Sequence, residues 1–351
     1  MLLYIHIPFC DSKCSYCAFN SYVDKFHLKK SYMQALLVQL DFEITNFNLQ
    51  KNSLDTIFIG GGTPSTIEPN LYSDFFQKIN PYLKKNAEIT TEANPNSATY
   101  KWLKEMYTLG INRVSFGVQS FDDAKLKTLN RAHSSEDAKR AIQDAHKIGF
   151  KNISLDLIYA TLGDTKKLLQ NDLENAFSLP INHLSAYALT IEEGTPFETK
   201  PQMAKEKLQL TEWLFKSIAK NKFQQYEISN FGTYQSKHNL GYWLYDDYIG
   251  LGSGAVGKFN HQRFYPTKDI EYYIKNPLQR EVETLDKEDI KIEKIFLGLR
   301  SCIGIQKKLL NKKELTQINI LLKEKKLYLQ NDTFYNYDYL LADEIALFIS
   351  S

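Results

Sequence analysis

The chain has little cysteine: four residues in 351, three of them between positions 10 and 17. Thiols so placed are not the spread framework of a disulfide-stapled secreted domain. No apolar run reaches membrane-spanning length, and Met1-Leu2-Leu3-Tyr4 leads into a strand pattern without the basic start and small-residue cleavage site of a secretory signal. An excess of one charge is also missing. Lys and Arg number 43 against 41 Asp and Glu, a formal net charge of +2, and nothing calls for nucleic acid as a partner. There is no Pro/Gly linker, low-complexity tract or solenoid repeat. What is left, 43% hydrophobic and 24% charged, is ordinary for a globular protein with a large core, built as one α/β domain with an appendage or as two domains. A reducing, cytoplasmic setting is expected.

What the chain does have is the run Pro8-Phe9-Cys10-Asp11-Ser12-Lys13-Cys14-Ser15-Tyr16-Cys17, a C-x3-C-x2-C loop. Three thiolates pointed at one centre select an iron–sulfur cluster or zinc. Structural zinc usually takes four protein ligands, and the nearest histidines, His6 and His27, lie outside the loop. A 4Fe–4S cluster on three cysteines keeps one iron open for an outside ligand, which makes a chemical site. Three unrelated thiols, or a zinc loop, are the plain alternatives.

Strand-like runs at Leu2–Ile7, Leu54–Ile59, Ala87–Glu92, Arg113–Val118, Asn152–Ile158, His183–Thr190 and Gln225–Ser229 alternate with amphipathic helical patterns. The helical patterns fall at Tyr32–Phe47, Leu71–Leu83, Ala98–Leu109, Ser135–Ile148, Lys166–Ser178 and Lys205–Lys220. Apolar strands joined by helices imply a parallel sheet, closed wholly or partly as a TIM-type barrel or open and doubly wound. Periodicity alone does not separate the two. The unusual residues fall at strand ends: the cysteine loop after the first, Gly60-Gly61-Gly62-Thr63-Pro64 after the second, Glu92 ending the third, Gln119 ending the fourth, Asp156 late in the fifth. Sites on parallel α/β scaffolds gather there, so these loops are expected to share one cavity. Taken singly, each could be a tight turn or a satisfied buried polar group.

The cysteine spacing resembles the signature of the radical S-adenosylmethionine enzymes. The resemblance implies a partial, TIM-like (β/α)6-type α/β barrel, a 4Fe–4S cluster on Cys10, Cys14 and Cys17, and S-adenosylmethionine on the open iron. In that family cluster reduction splits the sulfonium and releases a 5′-deoxyadenosyl radical. Tyr4-Ile5-His6-Ile7-Pro8-Phe9-Cys10, Ile59-Gly60-Gly61-Gly62-Thr63-Pro64, Glu92-Ala93-Asn94-Pro95, Gly117-Val118-Gln119-Ser120-Phe121, Leu129-Asn130-Arg131-Ala132-His133 and Leu155-Asp156-Leu157 look like the oxygen-independent coproporphyrinogen III oxidase family. By that similarity Tyr4, Tyr16, Gly61, Gly62, Thr63, Glu92, Gln119, Arg131 and Asp156 contact S-adenosylmethionine. Relatives commonly have Gly-Leu-Pro where this chain has Ala160-Thr161-Leu162.

Two departures point to a branch of that family. Decarboxylating members have a fourth cysteine where this chain has Phe19, and an N-terminal segment ahead of the first strand, which begins here at Leu2. Both features resemble the haem-chaperone branch, as does His238-Asn239-Leu240-Gly241-Tyr242-Trp243, an H-N-x-x-Y-W stretch. There an imidazole stands beside two rings able to pack on a porphyrin, so haem is expected at His238, Tyr242 and Trp243. The stretch can equally be packed core. The resemblance implies a haem chaperone delivering haem to acceptor haemoproteins, with no catalytic residue assigned; the alternative is an oxidase making protoporphyrinogen IX. Partners are haem and its acceptors, with a membrane surface and a homodimer left open, and no nucleic acid. Residues 1–283 are read as the barrel with its haem motif, and 284–351 as a small winged-helix-like C-terminal domain. That domain has helices at Ile290–Gly298 and Lys312–Lys325 and strands around Leu327–Leu329 and Thr333–Tyr335. Cys302 stands alone and is expected to be a small buried hydrophobe.

Overall fold

The computed structural model describes residues 1–350. Its first part repeats one unit of strand, loop and helix. Strands β1 (Leu2–Ile7), β2 (Leu54–Gly61), β3 (Leu83–Ala93), β4 (Arg113–Gln119), β5 (Asn152–Tyr159) and β6 (His183–Ala188) alternate with helices. The helices are α1 (Lys29–Asn46), α2 (Ser73–Ile79), α3 (Tyr100–Thr108), the pair α4 (Asp123–Thr128) and α5 (Ser135–Ile148), and α6 (Lys166–Phe177). The strands are parallel and lie side by side in chain order. That order decides between the two architectures. A doubly wound sheet reverses direction part-way and sends helices to both faces. Here every crossover runs the same way, so right-handed connections put the helices on one face and the sheet curls about the other. The sheet ends on free edges, so the barrel is partial.

Alternation along the strands sorts the side chains. Leu3, Ile5, Ile7, Ile57, Ile59, Val114, Phe116, Ile153 and Leu155 enter the main hydrophobic core. The intervening positions include Thr56, Glu88, Thr90, Arg113, Ser115, Ser154, His183 and Ser185, all buried and polar. The lumen is therefore polar. Side-chain caps start several helices right after the strand-end loops: Thr99, Asp122, Ser134 and Thr165 each accept from a backbone N–H of the first turn.

After α7 (Leu208–Lys220) the expected seventh parallel strand is not made. Gln225–Ser229 yields only the two-residue β7 (Gln224–Gln225) before the chain turns back into β8 (Asn230–Gly232), antiparallel to both β7 and β6. Tyr226 and Glu227 are buried here, the tyrosine side chain bonded to His183, and the backbone at Glu227 forms an antiparallel bridge with Ser301 of the C-terminal part in place of a barrel strand pairing. Helix α8 (Lys237–Trp243) follows, and then β9 (Tyr248–Leu251), a strand the glycine-rich sequence did not announce. It pairs in parallel with the other edge of β1. Strands β10 (Gly257–Phe259) and β11 (Gln262–Pro266), helix α9 (Ile270–Lys275) and strand β12 (Arg280–Thr284) complete the twelve-stranded sheet.

The C-terminal part holds α10 (Lys287–Leu299), β13 (Ile305–Gln306), α11 (Lys312–Lys323), β14 (Leu327–Gln330), β15 (Thr333–Asn336) and α12 (Ala342–Ser350). It has its own hydrophobic cluster, Ile295, Leu299, Ile305, Ile318, Leu321, Phe334 and Ile345 among it. Cys302 is exposed, against expectation, because it sits in the turn leaving α10, where its amide donates to the Tyr226 carbonyl. Among the described residues no helix is long and apolar enough to cross a membrane.

Candidate functional site

The strand-end loops enclose a cavity of about 740 Å³ at the C-terminal mouth of the barrel. Cys10, Cys14, Tyr16, Cys17, Gly61, Gly62, Thr63, Glu92, Gln119, Arg131 and Asp156 all line it. Residues more than a hundred positions apart thus face one space. The cysteine loop is tied at its base by Cys10 N–H to the Tyr22 carbonyl and Tyr22 N–H to the Pro8 carbonyl, at 3.0 and 2.8 Å. The glycine run lies directly against it: Gly62 N–H donates to Ile7 O and Thr63 N–H to Phe9 O. A Cβ on Gly62 would sit 2.9 Å from both of those carbonyls and 3.1 Å from Cys10 Sγ. At Gly61, φ is +110° and a Cβ would come within 2.5 Å of the His6 ring. Glycine is needed there on both counts.

All four cysteines are free thiols, and the sulfurs of the loop have donors of their own. Thr63 Oγ1 donates to Cys10 Sγ at 3.4 Å and Arg131 Nη1 to Cys14 Sγ at 3.0 Å. Burial pushes the Cys10 thiol up, and that of Cys17 likewise, so metal coordination is what would deprotonate them. Among the described residues no trio of Cys, His, Asp or Glu groups converges as around one metal ion. Zinc would need its ligands gathered about 2.3 Å from one point. Three cysteines also fall one short of the four protein ligands that a structural zinc site usually takes.

Arg131 is fixed by Asn94 Oδ1 at 2.5 Å and the Gly117 carbonyl at 2.7 Å, while its buried Nε has no partner. An unpaired donor beside the cysteine loop is what a ligand's carboxylate would satisfy. Across the cavity Glu92 accepts from Gly61 N–H at 3.1 Å and is pushed up to about 8, mainly by burial and then by the Asp156 charge. Asp156 is raised as well, by burial, with Ser185, Arg113, Arg131 and Ser115 pulling the other way. Two carboxylates that burial drives toward neutrality form a receptor for a cation, whose arrival lets both ionise. Gln119 holds φ +70°, a conformation that costs a non-glycine residue, at a register shift between β4 and β5. The strain is clamped from behind. His133 Nε2 bonds the Val118 carbonyl, and Asp172 accepts from the Ser120 hydroxyl and Phe121 N–H.

A family model described as the radical SAM superfamily matches residues 4–176. Heme chaperone HemW of Bacillus subtilis is 35% identical over 322 residues, covering 87% of this chain and 84% of that protein. The Escherichia coli protein of the same name is 37% identical over 304 residues, 81% of this chain and 79% of its own. The chain belongs to the HemW family of radical SAM proteins. Radical S-adenosyl methionine domain-containing protein 1 of mouse mitochondria, 30% identical over 330 residues, covers 86% of this chain and 74% of its own. The solved coproporphyrinogen III oxidase HemN of Escherichia coli shares the fold, with a TM-score of 0.82, 19% identity and coverage of 100% of this chain and 90% of that one.

Within this HemW-family fold four of the residues singled out in the sequence, Tyr4, His238, Tyr242 and Trp243, are not part of the cavity lining. Tyr4 is one layer deeper, its hydroxyl on His6 Nδ1 at 3.0 Å and its ring beside Phe58. His238 is in the floor of the barrel and not at a surface. It is 1% exposed, with Nδ1 on Thr56 Oγ1 at 2.6 Å and Nε2 on the Tyr242 hydroxyl at 3.0 Å. Both ring nitrogens are therefore used, and burial lowers the imidazole to about 3. Tyr242 and Trp243 are half-buried on the same short helix. The cavity also takes in residues sequence reasoning did not select, Ser115, Tyr187, Glu192 and Ser229. Ser115 could have been found by counting two back from Gly117 on the same strand face; the other three carry no motif.

Proposed function

We propose that this protein is a haem chaperone, binding haem and passing it to acceptor haemoproteins in the cytoplasm. Its cavity would hold a 4Fe–4S cluster on Cys10, Cys14 and Cys17 with S-adenosylmethionine beside it. The observation that carries the reading is the relationship: 35–37% identity to proteins named heme chaperone, against 19% to the oxidase that shares the fold. The lining supports it. Coproporphyrinogen III carries four carboxylates, and the cavity answers with Glu92, Asp156 and Glu192. Of its two cationic side chains, Lys13 is bonded to the Phe19 and Ser21 carbonyls, and Arg131 keeps a single unpaired nitrogen, enough for the one carboxylate of S-adenosylmethionine. Phe19, at the place of the oxidases' extra cysteine, is 67% exposed at the rim.

In this reading the cluster and S-adenosylmethionine supply one-electron chemistry when bound. The chain's own residues hold and orient them: thiols on the cluster, Arg131 on the ligand's carboxylate, Glu92 and Asp156 on its cationic groups, the glycine backbone along its length. Haem is proposed at Tyr242 and Trp243, and His238 can ligate its iron only when one ring nitrogen is freed, by opening the bond to Tyr242 or the bond to Thr56. Residues 1–283 would form the barrel unit and 284–351 a small C-terminal domain, a division supported by the second hydrophobic cluster. Haem titrated into cluster-reconstituted protein should bind at about one per chain. Anaerobic incubation with coproporphyrinogen III, S-adenosylmethionine and reductant should yield no protoporphyrinogen IX. Robust decarboxylation, or no haem binding, sinks the proposal.

A further inference from the structure

Below the cavity the lumen contains a charge with almost nothing bonded to it. Arg113 opens β4 and is 2% exposed. Its guanidinium makes one long contact, Nη1 to Thr90 Oγ1 at 3.5 Å, its Nε has no partner, and among the described residues it enters no ion pair. A buried cation without a counter-ion is costly, so it must act on the charges around it through space. The strand register says which. Arg113 pairs with Thr90 and Ser115 pairs with Glu92, so Arg113 points into the lumen one row, roughly 7 Å, beneath Glu92. Asp156 stands above it on the next strand, its carboxylate at the Ser115 hydroxyl. Glu88, one row deeper on β3, is taken by the Tyr234 hydroxyl and the Lys237 and His238 amides.

We infer that Arg113 is a positioning residue that acts without contact, its guanidinium lowering the cost of ionising Glu92 and Asp156 as they receive a cationic group of S-adenosylmethionine. This rests on the ligand proposed above for the cavity. The charged and titratable groups facing Glu92 are Asp156, Arg113, Tyr4 and Tyr187; burial and Asp156 raise its carboxyl, and Arg113 pulls it down. A carboxyl displaced upward must lose its proton before it can face a cation. Affinity should therefore climb with pH, by up to about tenfold per unit, until the carboxyl of the free protein is ionised near pH 8. Removing the positive charge below moves that rise to higher pH. A role confined to packing lowers affinity equally at every pH.

The test is S-adenosylmethionine affinity by calorimetry on anaerobic, cluster-reconstituted full-length protein between pH 6 and 9. Arg113→Gln should bind about tenfold or more weakly at pH 7, recover toward wild type by pH 9, and show its midpoint shifted upward. Arg113→Lys should keep the wild-type profile. Glu92→Gln, which leaves Arg113 in place, should flatten the profile near pH 8 and keeps the question open to measurement if Arg113→Gln does not fold. An Arg113→Gln midpoint equal to wild type, or a wild-type profile flat across the range, overturns the inference. Failure of wild type to bind S-adenosylmethionine at any pH overturns instead the ligand proposed for the cavity.

Discussion

Replacing Lys125 by Met should destabilise the fold and loosen one wall of the cavity. Lys125 and Asp164 are 7% and 1% exposed, and Nζ meets Asp164 Oδ1 at 2.7 Å and the Ile158 carbonyl at 2.7 Å. The other carboxylate oxygen of Asp164 accepts from Thr161 N–H at 2.9 Å, so the pair ties α4 to the loop that follows β5. At an effective dielectric constant of about 20, such charges attract by roughly 5 kcal/mol, most of it offset by their desolvation. Leaving Asp164 buried and unpaired should cost about 3–5 kcal/mol. Lys125→Met/Asp164→Asn removes the stranded charge yet keeps an acceptor for Thr161, and should regain roughly half of the loss on the scale of one buried hydrogen-bonded group. Urea unfolding of the single and double variants reads both quantities. A cost below about 1 kcal/mol for Lys125→Met, or a double variant no more stable than the single, would refute the claim that this buried pair holds the loop.

Four further outcomes are expected. Ala160 is buried at φ +61°, so Ala160→Gly should stabilise the protein by up to about 1 kcal/mol in the same assay, the relief of left-handed strain exceeding the added chain entropy. Gly61→Ala should do the reverse, by about 2 kcal/mol or more, since its Cβ meets the His6 ring at 2.5 Å; an unchanged midpoint would contradict the packing described. Alanine at Cys10, Cys14 or Cys17 should abolish the visible absorption and EPR signal of a reconstituted cluster, while Cys302→Ala, outside the cavity, should retain both. His238, lowered to about 3 by burial, is neutral in the folded protein, whereas the unfolded chain takes up a proton near pH 6.5. Its contribution is present above that value and lost as pH falls toward about 3, and its ring resonances should not titrate above pH 4; a midpoint near 6.5 would mean the floor of the barrel is open to water.

The cysteine spacing, the glycine run, and Glu92, Gln119 and Asp156 at successive strand ends were legible in the sequence, because a thiol trio and polar groups in apolar strands stand out locally. From the rule that parallel α/β sites collect at C-terminal strand ends, their convergence could be expected before any coordinates. The barrel itself could not be told from a doubly wound sheet, since that choice lies in strand order, which is a matter of pairing and not of periodicity. Strand β9 was hidden because its glycines admit close backbone approach: a Cβ at Gly250 would lie 2.1 Å from the Val256 carbonyl. The expected strand at Gln225–Ser229 has apolar residues, Tyr226 and Ile228, alternating with polar ones, but its backbone pairs with Arg300–Cys302 instead. Sequence placed His238 beside two aromatic rings; only the tertiary structure decided that Thr56, 182 residues earlier, would occupy its Nδ1. Arg113 read as the polar start of an apolar strand, and that it lies buried beneath two carboxylates depends on the register of three strands at once. Residue chemistry is written locally, whereas burial and electrostatic company are long-range sums that exist only once the chain has closed.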